Sequence, residues 1–244
     1  MSPKRTLITA KRILLQLAHD KRTLALIFIV PPALMTLLYF VFGEENTIFD
    51  SISPIILGIF PLIIMFLITS IAMLRERRSG TLDRLMAMPM GKGELIGGYA
   101  LAFSTVAFLQ AIITSFIATT FLGVSVAAGT PLLVCAAILS AILGTALGIC
   151  ASAFAKTEFQ AVQFMPAFIF PQLLVCGLFV PREQMASALQ GFANIMPMTY
   201  SVDAMQQLAL HTSITGQIWR DFLLVAVYAV IALLLGSLTI CRNS

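Results

Sequence analysis

Metal coordination, nucleophilic catalysis and phosphate binding each need particular side chains at particular spacings, and this chain offers few of them. Cys135, Cys150, Cys176 and Cys241 stand singly inside or at the ends of long apolar runs, with no CxxC pair and no histidine beside them, so they read as inert apolar fillers. His19 and His211 are predicted on opposite faces of a membrane and cannot share a metal. The one Gly-Lys pair, Gly91 and Lys92, is followed by Gly93 where a phosphate-binding loop needs Ser or Thr, and Met86 occupies the place of that loop's first glycine. The chain is therefore expected to bind no nucleotide, metal or other cofactor of its own. What remains is the interior stretch from Arg75 to Glu94, RERRSGTLDRLMAMPMGKGE, where charge is concentrated between two charge-free apolar runs.

The elements that hold this stretch are apolar throughout. Only 11% of residues are charged and the mean hydropathy is +0.97, which suits lipid better than water. A bilayer core needs about 20 apolar residues per helical span. Six runs free of Asp, Glu, Lys and Arg meet that need, approximately 24–42, 53–74, 95–122, 132–154, 164–180 and 222–240. The expected fold is an all-α membrane protein of six transmembrane helices, 1–244 forming one integrated domain, since no connecting loop is long enough for a soluble catalytic domain. Pro166 and Pro171 predict a distorted fifth span. Ala136, Ser140, Gly144, Gly148 and Ser152 form a small-residue ridge on the fourth, for close packing either within one protomer or between subunits.

Sidedness follows from the basic residues. Lys4, Arg5, Lys11, Arg12, Lys21 and Arg22 precede the first span; Arg75, Arg77, Arg78, Arg84 and Lys92 follow the second, Lys156 the fourth and Arg242 the last. The opposite face holds Arg182 and Arg220, with Glu44, Glu45 and Asp50 in its first loop, so both termini are predicted to be cytoplasmic. The net charge of +4 is thus a topology signal rather than a nucleic-acid footprint. The run from Leu24 is too long for a cleaved signal, contains Pro31 and Pro32, and ends in FGEE, so it is read as the first span. Upstream, Leu7, Ala10, Leu14, Leu17 and Ala18 share one helical face opposite Arg5, Arg12, Gln16 and His19, which predicts either a helix lying in the cytoplasmic interface or a basic topogenic tail.

The six runs lack the intramembrane carboxylate, His or basic residue that ion-driven transporters use. Directed transport would then draw its energy from an external ATPase. Against that background, Glu76–Leu85, ERRSGTLDRL, resembles the signature after the second span of type 2 ATP-binding-cassette transporter permeases, the drug, lipid and polysaccharide exporters that include the daunorubicin-resistance type. Its matching residues are Glu76, Gly80, Thr81, Leu82 and Asp83, continued by Arg84 and Leu85. A second match lies before the last span, where Asn194, Pro197, Thr199 and Tyr200 correspond to an Asn, Pro and Thr-Tyr hallmark. Here Ile195 and Met196 separate Asn from Pro, a spacing that many relatives lack.

The resemblance implies a permease subunit that works as a dimer, identical or mixed, with two copies of a cytoplasmic ATPase that holds the ATP and magnesium, in a bacterial plasma membrane among membrane lipids and without nucleic acid. It implies ATPase coupling by a short cytoplasmic helix containing Glu76, Arg77, Gly80, Thr81, Leu82, Asp83, Arg84, Leu85 and Met86, where Met86, Met88 and Met90 offer an adaptable contact; a solvated topogenic loop is the simpler reading. It implies a path between permeases along the second and fifth spans, with Phe60, Met65, Phe66 and Thr69 facing Phe164, Phe168, Phe170 and Gln172, residues that otherwise pack or face lipid. Short external helices over Met185–Met196 and Thr199–Leu210 would form a gate with Phe192, Asn194, Pro197, Thr199 and Tyr200, or rest on the lipid surface. An amphipathic drug-like or lipid cargo suits such a wall; a polysaccharide exporter, an ATP-independent channel or secondary transporter, and a structural subunit are the other readings.

Overall fold

A computed structural model describes residues 3–42, 47–80, 91–124, 126–211 and 215–240. Among them every regular element is helical: α1 Pro3–His19, α2 Lys21–Phe42, α3 Thr47–Arg78, α4 Lys92–Thr120, α5 Thr130–Ser152, α6 Glu158–Phe164, α7 Phe170–Val175, α8 Ser187–Ala193, α9 Pro197–Leu210 and α10 Gly216–Ile240. Five of these, α2, α3, α4, α5 and α10, are long and apolar enough to cross a membrane. In lipid a helix satisfies its own backbone hydrogen bonds, so long apolar runs fold this way with little choice.

The fifth apolar run behaves differently. Helix α6 passes through a π-helical turn, Met165–Ile169, into α7. Pro166 lies in that turn and Pro171 at the start of α7. Each proline lacks the N–H that would close an ordinary helical ring, and a π turn absorbs such a break. The helical stretch begins at Glu158 rather than 164 and ends at Val175 rather than 180, a length of about 27 Å at 1.5 Å per residue.

Helix α5 sits at the centre, packed most extensively against α3 and also against α10 and α4. Its ridge of Ala136, Ser140, Gly144, Gly148 and Ser152 is buried inside the protomer. A β-carbon at Gly148 would lie 2.6 Å from the Phe66 carbonyl oxygen, and one at Gly144 would collide with the Leu62 carbonyl. The absence of side chains at these two positions lets α3 and α5 touch backbone to backbone. Of the two roles open to the ridge, packing within the protomer is the one observed.

Helix α1 is amphipathic but turned from its predicted orientation. Thr9, Ala10, Ile13 and Leu17 are buried, mainly against α4, where Gly98 brings a bare backbone beside Thr9. Leu7 is 59% exposed, whereas Arg12 and Gln16, expected on the polar face, reach inward. The cause is a carboxylate awaiting them on α3, which a helical wheel cannot show. Two other expectations change. Helix α10 opens at Gly216, not 222, so the span includes Arg220 and Asp221, and Asp221 is fully buried near its end. Of the predicted helix over Met185–Met196, only Ser187–Ala193 is α-helical, after a 3-10 turn at Arg182–Gln184.

Candidate functional site

The last turn of α3 carries four consecutive charged residues, Arg75 to Arg78, and successive positions 100° apart on a helix point in different directions. The first three each find their own partner. Glu76 is buried at 7% exposure and accepts from Arg12 Nη2 at 2.7 Å and from Gln16 Nε2 at 3.3 Å, both on α1. The same Arg12 nitrogen donates to the Tyr99 hydroxyl on α4 at 2.8 Å. Arg75 grips Glu158 at the start of α6 with two bonds of 2.9 Å. Arg77 donates to the carbonyl of Ala153 at 3.0 Å and to that of Ala155, closing the C-terminal end of α5. One helical turn is therefore fastened to α1, to α5 and to the broken fifth run.

The local sequence also defines the ends of the charged stretch. Helix α3 stops at Gly80, whose φ of +68° is left-handed and favours a residue without a β-carbon. Its N–H returns to the Arg77 carbonyl at 3.3 Å. At the far side the Glu94 carboxylate accepts from the Gly91 N–H at 3.1 Å and so caps α4, with Arg5 of α1 3.8 Å from the same carboxylate. Of the expected coupling residues, Glu76, Arg77 and Gly80 form this frame; Thr81, Leu82, Asp83, Arg84, Leu85 and Met86 lie outside the described residues. Arg12 and Tyr99 were not anticipated. Their only sequence signals are the place of Arg12 on the polar face of α1 and the hydroxyl of Tyr99 in an apolar run.

A second polar cluster occupies the opposite end of the bundle. Arg182 pairs with Asp203 at 2.5 Å and donates to the Asn194 side chain at 3.3 Å. The Tyr200 and Tyr228 hydroxyls donate to the carbonyls of Asn194 and Ile195 at 2.6 and 3.0 Å, their rings stacked 6.0 Å apart. Asp221 accepts from Gln207 at 2.9 Å and meets Arg220 at 3.3 Å. Burial pushes the Asp203 carboxyl up to about 6, against the pull of Arg182 and with repulsion from Asp221 adding to it. Asp50, Arg182, Glu183 and Asp203 line an open cavity of about 720 Å³ here.

Of the expected gate residues, Tyr200 bonds to the Asn194 carbonyl, Pro197 and Thr199 are buried, and Phe192 is 40% exposed. The expected path residues divide. Phe66 stacks on Phe168 at 6.3 Å, and Phe164 and Phe168 line an apolar groove of about 260 Å³ with Leu147, Cys150, Ala151 and Phe154. Phe170 is exposed and Phe60 half-buried, whereas Met65, Phe66, Thr69 and Gln172 are buried within the protomer. Gln172 accepts from the Met198 N–H at 3.3 Å and so ties α7 to α9.

The family described as ABC-2 type transporter matches residues 5–210 of this chain. This chain belongs to that family. It is 25% identical over 206 residues to ABC transporter G family member 20 of Dictyostelium discoideum, covering 82% of this chain and 28% of that protein. It is 26% identical over 168 residues to the probable multidrug ABC transporter permease YbhR of Escherichia coli (strain K12), covering 69% of this chain and 46% of the relative. Inner membrane transport permease YhhJ of the same strain is 27% identical over 157 residues, 64% of this chain and 42% of its own length. The chain thus spans less than half the length of these relatives. As an ABC-2 transporter domain it is a membrane component of a transport system; the matched region contains the whole cluster around Glu76 and, of the second cluster, Arg182, Asn194, Tyr200, Asp203 and Gln207.

Proposed function

We propose that this chain is the membrane-spanning permease subunit of an ATP-driven exporter that moves an amphipathic drug-like or lipid substrate out of the cytoplasm or the inner leaflet. The supporting observation is the last turn of α3, where Arg75, Glu76 and Arg77 fasten three separate elements to the helix that leads into the 81–90 stretch. Two copies of a separate ATPase chain dock on that stretch and hold the ATP and magnesium; this chain holds neither. ATPase closure shifts the stretch, and α3 passes the displacement to α1, α5 and the fifth run as one rigid unit.

In this reading the fifth run, Glu158–Val175 and the turns after it, is the sixth crossing. Both termini then lie on the cytoplasmic side of a bacterial plasma membrane. A second permease, identical or homologous, faces the apolar groove at Phe164 and Phe168, whose lining carries no charge and suits amphipathic cargo better than sugars. The external cluster around Asn194 and Asp203 closes the path outside. The test is co-reconstitution with the co-purifying ATPase, measuring ATP hydrolysis and dye efflux together. Glu76→Gln should lower efflux about tenfold, on the order of 1.4 kcal/mol of coupling, while hydrolysis persists. Flux from this chain alone in liposomes would favour a channel or secondary carrier instead.

A further inference from the structure

At the same end of the bundle as Glu76, an open groove of about 760 Å³ lies between α3, the turn after α5 and the last turns of α10. Its lining is Arg77, Ala153, Phe154, Ala155, Lys156, Leu238 and Thr239. Charge distinguishes it from the cavity at the opposite end: it has two cations and no carboxylate in its wall, whereas the other has Asp50, Glu183 and Asp203 against Arg182. Its wall also carries strongly exposed apolar side chains, Phe154 at 59% and Leu238 at 69%.

The nearby carboxylates are engaged elsewhere: Glu76 with Arg12 and Glu158 with Arg75. Among the described residues neither Arg77 nor Lys156 has a carboxylate within ion-pair distance. Arg77 spends one N–H of each terminal nitrogen on the Ala153 and Ala155 carbonyls. Its Nε–H and two further N–H groups remain, oriented by a guanidinium already held in place. The carbonyls at the end of α5 oppose an anion with about half a charge, against two full positive charges. Lys156 is exposed, its backbone N–H tied to the Gln160 side chain at 2.8 Å.

We infer that this groove is a binding site for an anionic phospholipid, the phosphate held between Arg77 and Lys156 and an acyl chain lying over Phe154 and Leu238. Cations at the ends of spans stand at the depth of lipid phosphates, and apolar side chains one turn inward stand at the depth of acyl chains. A free phosphate would satisfy the cations but make no contact with Phe154 or Leu238. The site borders the apolar groove at Phe164 and Phe168, with which it shares Phe154. Its occupancy would brace Arg77, and through it the junction of α3 with α5.

The test uses the purified transporter complex in mild detergent, titrated with dioleoylphosphatidylglycerol or dioleoylphosphatidylcholine and read by native mass spectrometry. Phosphatidylglycerol should bind at least tenfold more tightly. Lys156→Gln should weaken it about fivefold, the effect of one cation near a lipid phosphate, while Arg22→Gln, an exposed cation elsewhere, leaves it unchanged. Because Arg77 also closes α5, Arg77→Gln is read only beside Lys156→Gln. Equal weakening by Arg22→Gln would reveal diffuse surface charge and overturn the site. Displacement by inorganic phosphate at equal affinity would make it a free-anion site. Unchanged lipid binding with loss of the co-purifying ATPase in Lys156→Gln would make the groove a protein contact.

Discussion

The two ends of this bundle solve the same problem, polar groups inside an apolar protein, in opposite ways. At the Glu76 end the ion pairs join residues far apart in sequence, Arg12 to Glu76 across 64 positions and Arg75 to Glu158 across 83, and Glu76, Glu94 and Glu158 each meet an arginine. At the opposite end Asp203 and Asp221 are both buried near Arg182 and Arg220, and burial leaves the Asp203 carboxyl raised to about 6. Balanced long-range pairs hold helices in fixed relation, whereas an under-compensated buried carboxylate makes its surroundings sensitive to protons. The Glu76 end is thus fastened across the bundle, and the Asp203 end is sensitive to pH.

The sharpest way to break the contrast is Arg12→Ala, which strands the buried Glu76 carboxylate. A fully buried pair loses about 3–5 kcal/mol when one partner is removed; with 34% of the Arg12 side chain exposed, about 2–4 kcal/mol is expected. Hydrogen exchange should show α1 loosening, and adding Glu76→Gln should recover most of the loss. An additive double variant would mean that the pair does not act as a unit.

The Asp203 end should answer to pH instead. Asp203 has a folded pKa of about 6, above the usual unfolded value of about 3.9, so the folded state holds the extra proton between them. Its stabilisation is fully present below about pH 4 and is lost as pH rises through about 6, by at most about 2–3 kcal/mol. Melting curves from pH 4 to 7 should show the native chain losing stability relative to Asp203→Asn; parallel curves would remove the contrast.

Between the two ends, Gly148→Ala pushes a methyl group against the Phe66 carbonyl, and overpacking should cost about 1–3 kcal/mol, read as a lower melting temperature with both polar ends intact. The smallest effect belongs to Arg75→Gln. Its pair with Glu158 has side chains 57% and 48% exposed, so water and salt screen it and the stability change should stay below about 1 kcal/mol. A larger loss would show that α6 depends on this bridge for its position.

Much of the architecture was readable in advance because hydrophobic runs and helix length are local. The runs 24–42, 53–74, 95–122 and 132–154 lie within a few residues of α2, α3, α4 and α5, and Pro166 does mark the π turn. The ridge on α5 was visible as spacing, although its partner was not. The polar sites were less legible. Counting charges from Phe222 onward missed Asp221, since hydropathy trims a helix at its first charge while backbone hydrogen bonding does not. Arg182 was visible only as a topology signal, and nothing in its neighbourhood pointed to Asp203 on α9.

By itself, then, the sequence determined the first four apolar helices to within a few residues, the weak point in the fifth run and the family signature around Glu76, because these depend on neighbouring residues and on the match of apolar length to lipid thickness. The tertiary structure alone decided which way α1 faces, that Glu76 lies inside under Arg12, and that one turn of α3 holds three elements. Those outcomes depend on charges from distant segments meeting where water is scarce, and there the cost of an unpaired charge outweighs the preference of any single helical face.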